Sequence, residues 1–170
     1  MYKKNFFGGF ILNFNKGLNP GIKSPQFSLI DHNNDIFDLS KFKGKRVLLS
    51  FHPLAWTGVC AAQMKSLEDN FDNFKKLNTI AVGINVDSVP SKKAWADSLG
   101  IKNTKLLSDF WPHGNVAKLF CLFREDDGFS ERANIIINED QIIEFVKIYE
   151  ISNLPDIDEI VDFLKNLDEK

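Results

Sequence analysis

Between the basic turn Lys41-Phe42-Lys43-Gly44-Lys45 and Pro53 lies Val47 to Phe51, a β-rich and nearly continuous apolar run. A strand that alternates apolar and polar residues can leave one face in water, whereas a strand apolar throughout has to be covered on both faces. This run therefore demands a sheet with helices or further chain packed on each side. Pro53, which has no backbone N–H to give to a sheet ladder, ends it.

The flanking segments supply those layers. Gln26 to Ile30 and Ile36 to Leu39 read as a hairpin around Asp31-His32-Asn33-Asn34-Asp35. After Gly58, residues Met64, Leu67, Phe71, Phe74 and Leu77 step by three or four and predict one amphipathic helix. Thr79 to Val86 is a strand, and Ser88-Val89-Pro90-Ser91 opens a helix carrying Ala94, Trp95 and Leu99 that Gly100 ends. Leu106-Leu107 is a short strand and Val116 to Phe120 a short helix. Ala133 to Ile137 and Ile142 to Ile148 form a hairpin turned at Asn138-Glu139-Asp140, and a helix over 156–167 closes the chain with Ile157, Ile160, Val161, Leu164 and Leu167 on one face. Strands alternating with helices predict an α/β fold with a central mixed β-sheet flanked by helices.

At 170 residues the chain fits one domain with a sizeable core. Residues 1–20, rich in Phe, Gly and Asn and closed by the turn Asn19-Pro20-Gly21, read as an N-terminal extension to a single domain over 21–170. A net charge of -2 leaves no excess of Lys and Arg to neutralise phosphates, so nucleic acid and anionic membranes are poor partners. No apolar run reaches the ~18 residues of a membrane span, and the stretch Phe6 to Leu12 has no cleavage site after it. The two cysteines, Cys60 and Cys121, make neither a disulfide framework nor a zinc or CxxC pattern. A reduced, cytoplasmic setting is expected.

Chemistry converges on Phe51-His52-Pro53-Leu54-Ala55-Trp56-Thr57-Gly58-Val59-Cys60, where the buried strand gives way to a helix. Cys60 falls in the first helical turn, whose free N–H groups and positive dipole end favour an anion and hence the nucleophilic thiolate. Position alone leaves two readings open, a reactive thiolate or a buried structural thiol.

The arrangement Pro53-x-x-x-Thr57-x-x-Cys60 resembles the signature of the peroxiredoxins, the alkyl hydroperoxide reductase and thiol-specific antioxidant family. Asp31, Leu39-Ser40 and Phe42-Lys43-Gly44-Lys45 before it are similar to the family's lead-in. So are Leu107-Ser108-Asp109-Phe110-Trp111-Pro112-His113-Gly114 and Glu131-Arg132-Ala133-Asn134-Ile135 after it. The likeness covers about residues 21–170, and Pro-Leu-Ala-Trp-Thr-Gly-Val-Cys with Asp-Phe-Trp-Pro-His-Gly looks closest to the one-cysteine alkyl hydroperoxide reductase E subgroup.

The resemblance implies a thioredoxin-like fold and a thiol-dependent peroxidase that reduces hydrogen peroxide or organic hydroperoxides. Cys60 would supply the thiolate and pass through a sulfenic acid, while Thr57 would offer its hydroxyl and Pro53 would shield the pocket. Arg132 would bond sulfur and peroxide oxygens together. An external thiol or thioredoxin-like protein would restore Cys60, with no metal or organic cofactor implied. A homodimer in which loops around Trp56, Pro90 and Trp111 meet is expected from the same likeness.

Blander readings stand beside these. Thr57 alone could be a helix cap, Arg132 a surface partner of Glu131, His52 and His113 structural, and Trp56 and Trp111 core or interface aromatics. Where many relatives carry Glu three residues after the reactive cysteine this chain has Gln63, and where some carry a resolving cysteine it has Lys65. Cys121, in Leu119-Phe120-Cys121-Leu122-Phe123, is expected to be buried and catalytically idle; the alternative is an atypical two-cysteine peroxidase. A peroxide sensor or chaperone-like redox module is a further alternative, whereas a CxxC thiol-disulfide oxidoreductase would need a cysteine where Gln63 stands.

Overall fold

The computed structural model describes residues 18–168. Most of the expected 1–20 extension therefore lies outside the described residues; Leu18, at its end, is buried in the core.

The elements run β1 (Ser28–Asp31), β2 (Ile36–Asp38), a 3-10 turn (Leu39–Phe42), β3 (Arg46–Phe51), α1 (Gly58–Asp69), α2 (Phe71–Lys76), β4 (Thr79–Asn85) and α3 (Val89–Leu99). There follow β5 (Lys105–Ser108), α4 (Asn115–Leu119), β6 (Phe123–Arg124), β7 (Phe129–Ser130), β8 (Arg132–Ile137), β9 (Ile143–Tyr149) and α5 (Ile157–Asp168). Seven strands form one mixed sheet in the order β2-β1-β5-β4-β3-β8-β9, with β3 parallel to β4 and antiparallel to β8. The expected α/β class and central mixed sheet are thus in place, as are both hairpins.

Every residue of β3 is buried. Val47, Leu49 and Phe51 face a core shared with Phe120 and Leu122, which flank the end of α4 and its exit turn, and with the N-terminal hairpin. Leu48 faces a second core that holds Cys60 and Met64 of α1, Trp95 of α3 and Ile160 of α5. The two-residue period of the strand thus sends α1, α3 and α5 to one face and α4 to the other. Gly83 of β4 leaves room for α1 on the face of the second core: a Cβ there would lie 2.2 Å from Met64 Sδ and would push the end of that side chain aside.

One expectation needs correction. The stripe from Met64 to Leu77 is two helices, broken at Asn70, whose side-chain amide donates to the Ser66 carbonyl at 3.0 Å. Short polar side chains compete with the helical ladder in this way. The apolar spacing survives because α2 continues against the same sheet face, with Phe74 in the second core. Gly100, at φ 71°, closes α3 as expected. Among the described residues no helix is long and apolar enough to cross a membrane.

Candidate active site

The loop from β3 to α1 is held from below. Asp87, just past β4, accepts the Ala55 N–H at 2.7 Å and the Asn85 amide at 2.6 Å, and Trp56 donates from its indole to Ser91 Oγ of α3 at 3.1 Å. Trp56 takes a left-handed backbone, φ 64°, as the chain turns into the helix. Thr57 is the residue before α1 but makes no side-chain cap; its hydroxyl donates to the Leu54 carbonyl at 3.0 Å instead. Cys60 is therefore the third helical residue, within the turn whose N–H groups have no helical acceptor.

Arg132, first residue of β8, reaches Cys60 from the neighbouring strand. It is 2% exposed. Its Nη2 donates to Cys60 Sγ at 3.5 Å and to the Ile151 carbonyl at 2.8 Å, Nε donates to the same carbonyl at 3.0 Å, and Nη1 donates to Gln63 Oε1. Gln63 in turn donates to Ser50 Oγ at 2.7 Å and the Phe51 carbonyl at 3.2 Å, and Ser50 donates to Asn134 Oδ1 at 2.8 Å. The fork is thus fixed by a chain of neutral partners running across β3 and β8. A cation held by neutral acceptors keeps its charge available to the sulfur beside it.

Pro53, Thr57, Cys60 and Arg132 line one open cleft of about 290 Å³, together with Leu54, Phe129 and Ile151. Cys60 is 1% exposed, so a ligand must enter the cleft to meet its sulfur. The space admits a small molecule and is walled chiefly by apolar side chains, with the guanidinium, the hydroxyl and the thiol as its polar features. Among the described residues no group of three or more His, Cys, Asp or Glu side chains could hold a metal ion.

The surface-partner reading of Arg132 and the core reading of Trp56 and Trp111 fail. Arg132 does not pair with Glu131; Arg124 does, at 3.2 Å, and Arg132 points inward. Trp56 and Trp111 are not core: they are 58% and 80% exposed. His113 bonds the Gly128 carbonyl at 2.6 Å, a structural role. Cys121 is the main correction. It is exposed, with φ 53°, because the chain turns sharply after α4 and sends Phe120 and Leu122 into the core but not the residue between them. An apolar run on a helix or strand would have buried it; a left-handed turn reverses that.

Asp87 and the Ile151 carbonyl escaped sequence reasoning. Asp87 acts on a backbone N–H, and a carbonyl is present on every residue, so neither leaves a sequence pattern. A buried arginine does imply acceptors, and that need is the one signal that could have pointed to the Ile151 carbonyl.

Known proteins resemble this chain along most of its length. The AhpC/TSA family pattern matches residues 20–146. Alkyl hydroperoxide reductase E of Mycobacterium tuberculosis is 37% identical over 132 residues, spanning 77% of this chain and 86% of that protein. Peroxiredoxin prdx-2 of Caenorhabditis elegans is 30% identical over 148 residues, 82% of this chain and 73% of that one. Among solved structures, the reduced 2-Cys peroxiredoxin of Plasmodium vivax superposes with a TM-score of 0.80 at 27% identity, covering 88% of this chain and 82% of its own. AhpC of Enterococcus faecalis, at 22% identity over 88% of this chain and 92% of its own, shares the fold with the same TM-score.

Proposed function

Because the chain belongs to the AhpC/TSA family, the peroxiredoxins, with their thioredoxin-like fold, we propose that it reduces hydroperoxides at Cys60 in the cleft just described. The observation that carries this reading is the 3.5 Å hydrogen bond from Arg132 Nη2 to Cys60 Sγ at the floor of that cleft.

The thiolate attacks one peroxide oxygen, the O–O bond breaks, and its electrons leave on the other oxygen. Sulfur is oxidised by two electrons to the sulfenic acid, and the departing oxygen takes a proton to become water or an alcohol. Negative charge moves from sulfur to the departing oxygen during this step. Arg132 lies where it can follow that movement, since its fork is anchored at the Ile151 carbonyl and Gln63 and leaves one edge on the sulfur side. Thr57 brings a hydroxyl to the same cleft, and Pro53 walls it without adding a donor that would hold water.

The sulfenic acid is returned by an external thiol, small or thioredoxin-like, which displaces water to give a mixed disulfide; a second thiol then releases Cys60. Support for one-cysteine recycling comes from the sheet. Cys60 belongs to the core on one face, and the neighbours of Cys121 belong to the core on the other. A disulfide needs Cα atoms within ~7 Å, less than the ~10 Å spacing of packed layers.

A homodimer belongs to the same reading. The loops after β3, β4 and β5 lie at one end of the sheet, tied by the Trp56–Ser91 bond and by the Asp109 N–H on the Asn85 carbonyl at 2.9 Å. They leave Leu54, Trp56, Phe110 and Trp111 exposed, a concentration of large apolar groups that a second copy would cover.

Sustained consumption of hydrogen peroxide or cumene hydroperoxide with dithiothreitol or thioredoxin as reductant tests the enzyme. Many turnovers per Cys60 are expected. Oxidation that stops after one turnover and alters oligomeric state would establish a sensor instead.

A further inference from the structure

Beneath the loop that carries Pro53 lie two basic side chains without a hydrogen-bond partner. His52, the residue after β3, and Lys92 of α3 are both 0% exposed. Five buried side-chain nitrogen or oxygen atoms among the described residues have no such partner, and three of them are His52 Nδ1, His52 Nε2 and Lys92 Nζ. Strand alternation puts His52 on the face of Ser50, the face covered by α1 and α3, and its ring lies 5.5 Å from that of Trp95. Lys92 is three residues before Trp95 and so shares its inward stripe, in the layer that also contains Cys60. An unpaired buried ammonium is costly, and a protein that keeps one has placed a charge where water cannot screen it.

The groups facing Lys92 come from every element around it. Asp87 past β4, Asp109 past β5 and Cys60 of α1 favour its charged form, against a larger effect of burial; together they leave its ammonium at about 7, down from 10.5. The two aspartates are occupied, Asp87 by Ala55 and Asn85 and Asp109 by the N–H groups of Val116 and Ala117. His52 is held well below its usual range by burial, with Lys92 and Arg132 acting in the same direction, so it is a neutral imidazole near pH 7. His32, on whose ring Lys92 also acts, is likewise lowered, chiefly by burial. Guanidinium groups stay protonated in proteins. Lys92 is thus the buried cation in this layer able to exchange a proton near neutrality.

Peroxide reduction by a thiolate consumes one proton: thiolate, hydroperoxide and a proton give sulfenic acid and alcohol. It also removes a negative charge that favours the ammonium. Resting on the peroxidase reading above, we propose that Lys92 holds, while Cys60 is a thiolate, the proton that this reaction consumes. The site then passes from thiolate with ammonium to sulfenic acid with amine, and its net charge does not change. When external thiols regenerate the thiolate, the proton it sheds returns to Lys92. Lys92 acts through its charge and its proton rather than by touching substrate, so it is a positioning residue.

The test is proton stoichiometry. Reduced protein is mixed with one equivalent of hydrogen peroxide in weak buffer containing a pH indicator, and peroxide loss is followed in parallel. The pH points are those where absorbance at about 240 nm shows Cys60 ionised. Near pH 7 the wild type should take up clearly less than one proton per peroxide, down to about half, rising toward one by about pH 9, where Lys92 is already neutral in the reduced protein. Lys92→Met should take up about one throughout, as should Lys92→Arg, whose charge does not titrate. Uptake of one proton by the wild type at every pH would overturn the proposal, as would equal uptake in wild type and either variant. Should neither variant fold, the wild-type pH series decides alone. Absence of peroxide loss would overturn the peroxidase reading itself, so the two failures are distinguishable.

Discussion

Replacing Arg132 by Lys keeps a positive charge and removes the fork. Arg132 spans two sides of its site: Nε and Nη2 meet the Ile151 carbonyl at 3.0 and 2.8 Å, Nη1 meets Gln63, and Nη2 also reaches Cys60 Sγ at 3.5 Å. A lysine ammonium is a single point on a flexible stem and cannot hold that carbonyl and the sulfur together. If it stays with the carbonyl, the sulfur loses a donor that follows charge through the transition state, a loss of about 10²–10³ in rate for one such bond. If it turns to the sulfur, Ile151 and Gln63 are left with unmet buried acceptors at about 1–3 kcal/mol each. The expected variant is folded, less stable by about 1–3 kcal/mol, and slower with peroxide by about 10²–10³-fold. Stopped-flow tryptophan fluorescence on the reduced protein gives the rate, and urea denaturation the stability. A stable Lys variant that reacts at the wild-type rate would refute the role given to the fork.

Thr57→Val keeps shape and removes the hydroxyl from an exposed position, so stability should hold while the peroxide rate falls ~10–10³-fold; an unchanged rate would leave the Leu54 bond as the residue's whole role. Sizing chromatography at micromolar concentration should give a dimer, and Trp111→Glu, which charges the most exposed of the loop aromatics, should give a monomer. Stability should depend on pH from both sides. His52 is lowered in the folded chain, so its unfolded form binds a proton that the folded form refuses, and stability falls as pH drops below about 6.5. For Lys92, lowered from 10.5 to about 7, the same sign makes stability rise between those limits by an amount on the order of a few kcal/mol, and Lys92→Met should flatten that upper limb in urea titrations across pH.

Apolar periodicity carried the fold well because it reports directly on burial. The continuous run in β3 implied cover on both faces, and the structure supplies α1, α3 and α5 on one and α4 with the N-terminal hairpin on the other. Periodicity says less where a side chain interrupts the backbone without altering the stripe, as at Asn70, where one expected helix is two. It also misleads at turns: Cys121 sits among apolar neighbours yet faces solvent because φ 53° turns it outward. At the site, the motif positions Pro53, Thr57, Cys60 and Arg132 come together at one cleft. What holds them there was not legible, since Asp87 works on a backbone N–H and Ile151 contributes a carbonyl. That His52 and Lys92 share one buried layer was hidden for another reason. The two lie 40 residues apart, on a strand end and a helix, and only the strand alternation and the helix stripe together bring them to one layer.

The central claim is that peroxide reacts at Cys60. Reduced protein treated with one equivalent of hydrogen peroxide in the presence of dimedone, then digested under non-reducing conditions and mapped by mass spectrometry, tests it at the residue. The account predicts the dimedone adduct on Cys60 with Cys121 unmodified, and no adduct anywhere in Cys60→Ser. Modification confined to Cys121, or a Cys60–Cys121 linkage within one chain in most molecules, would contradict it.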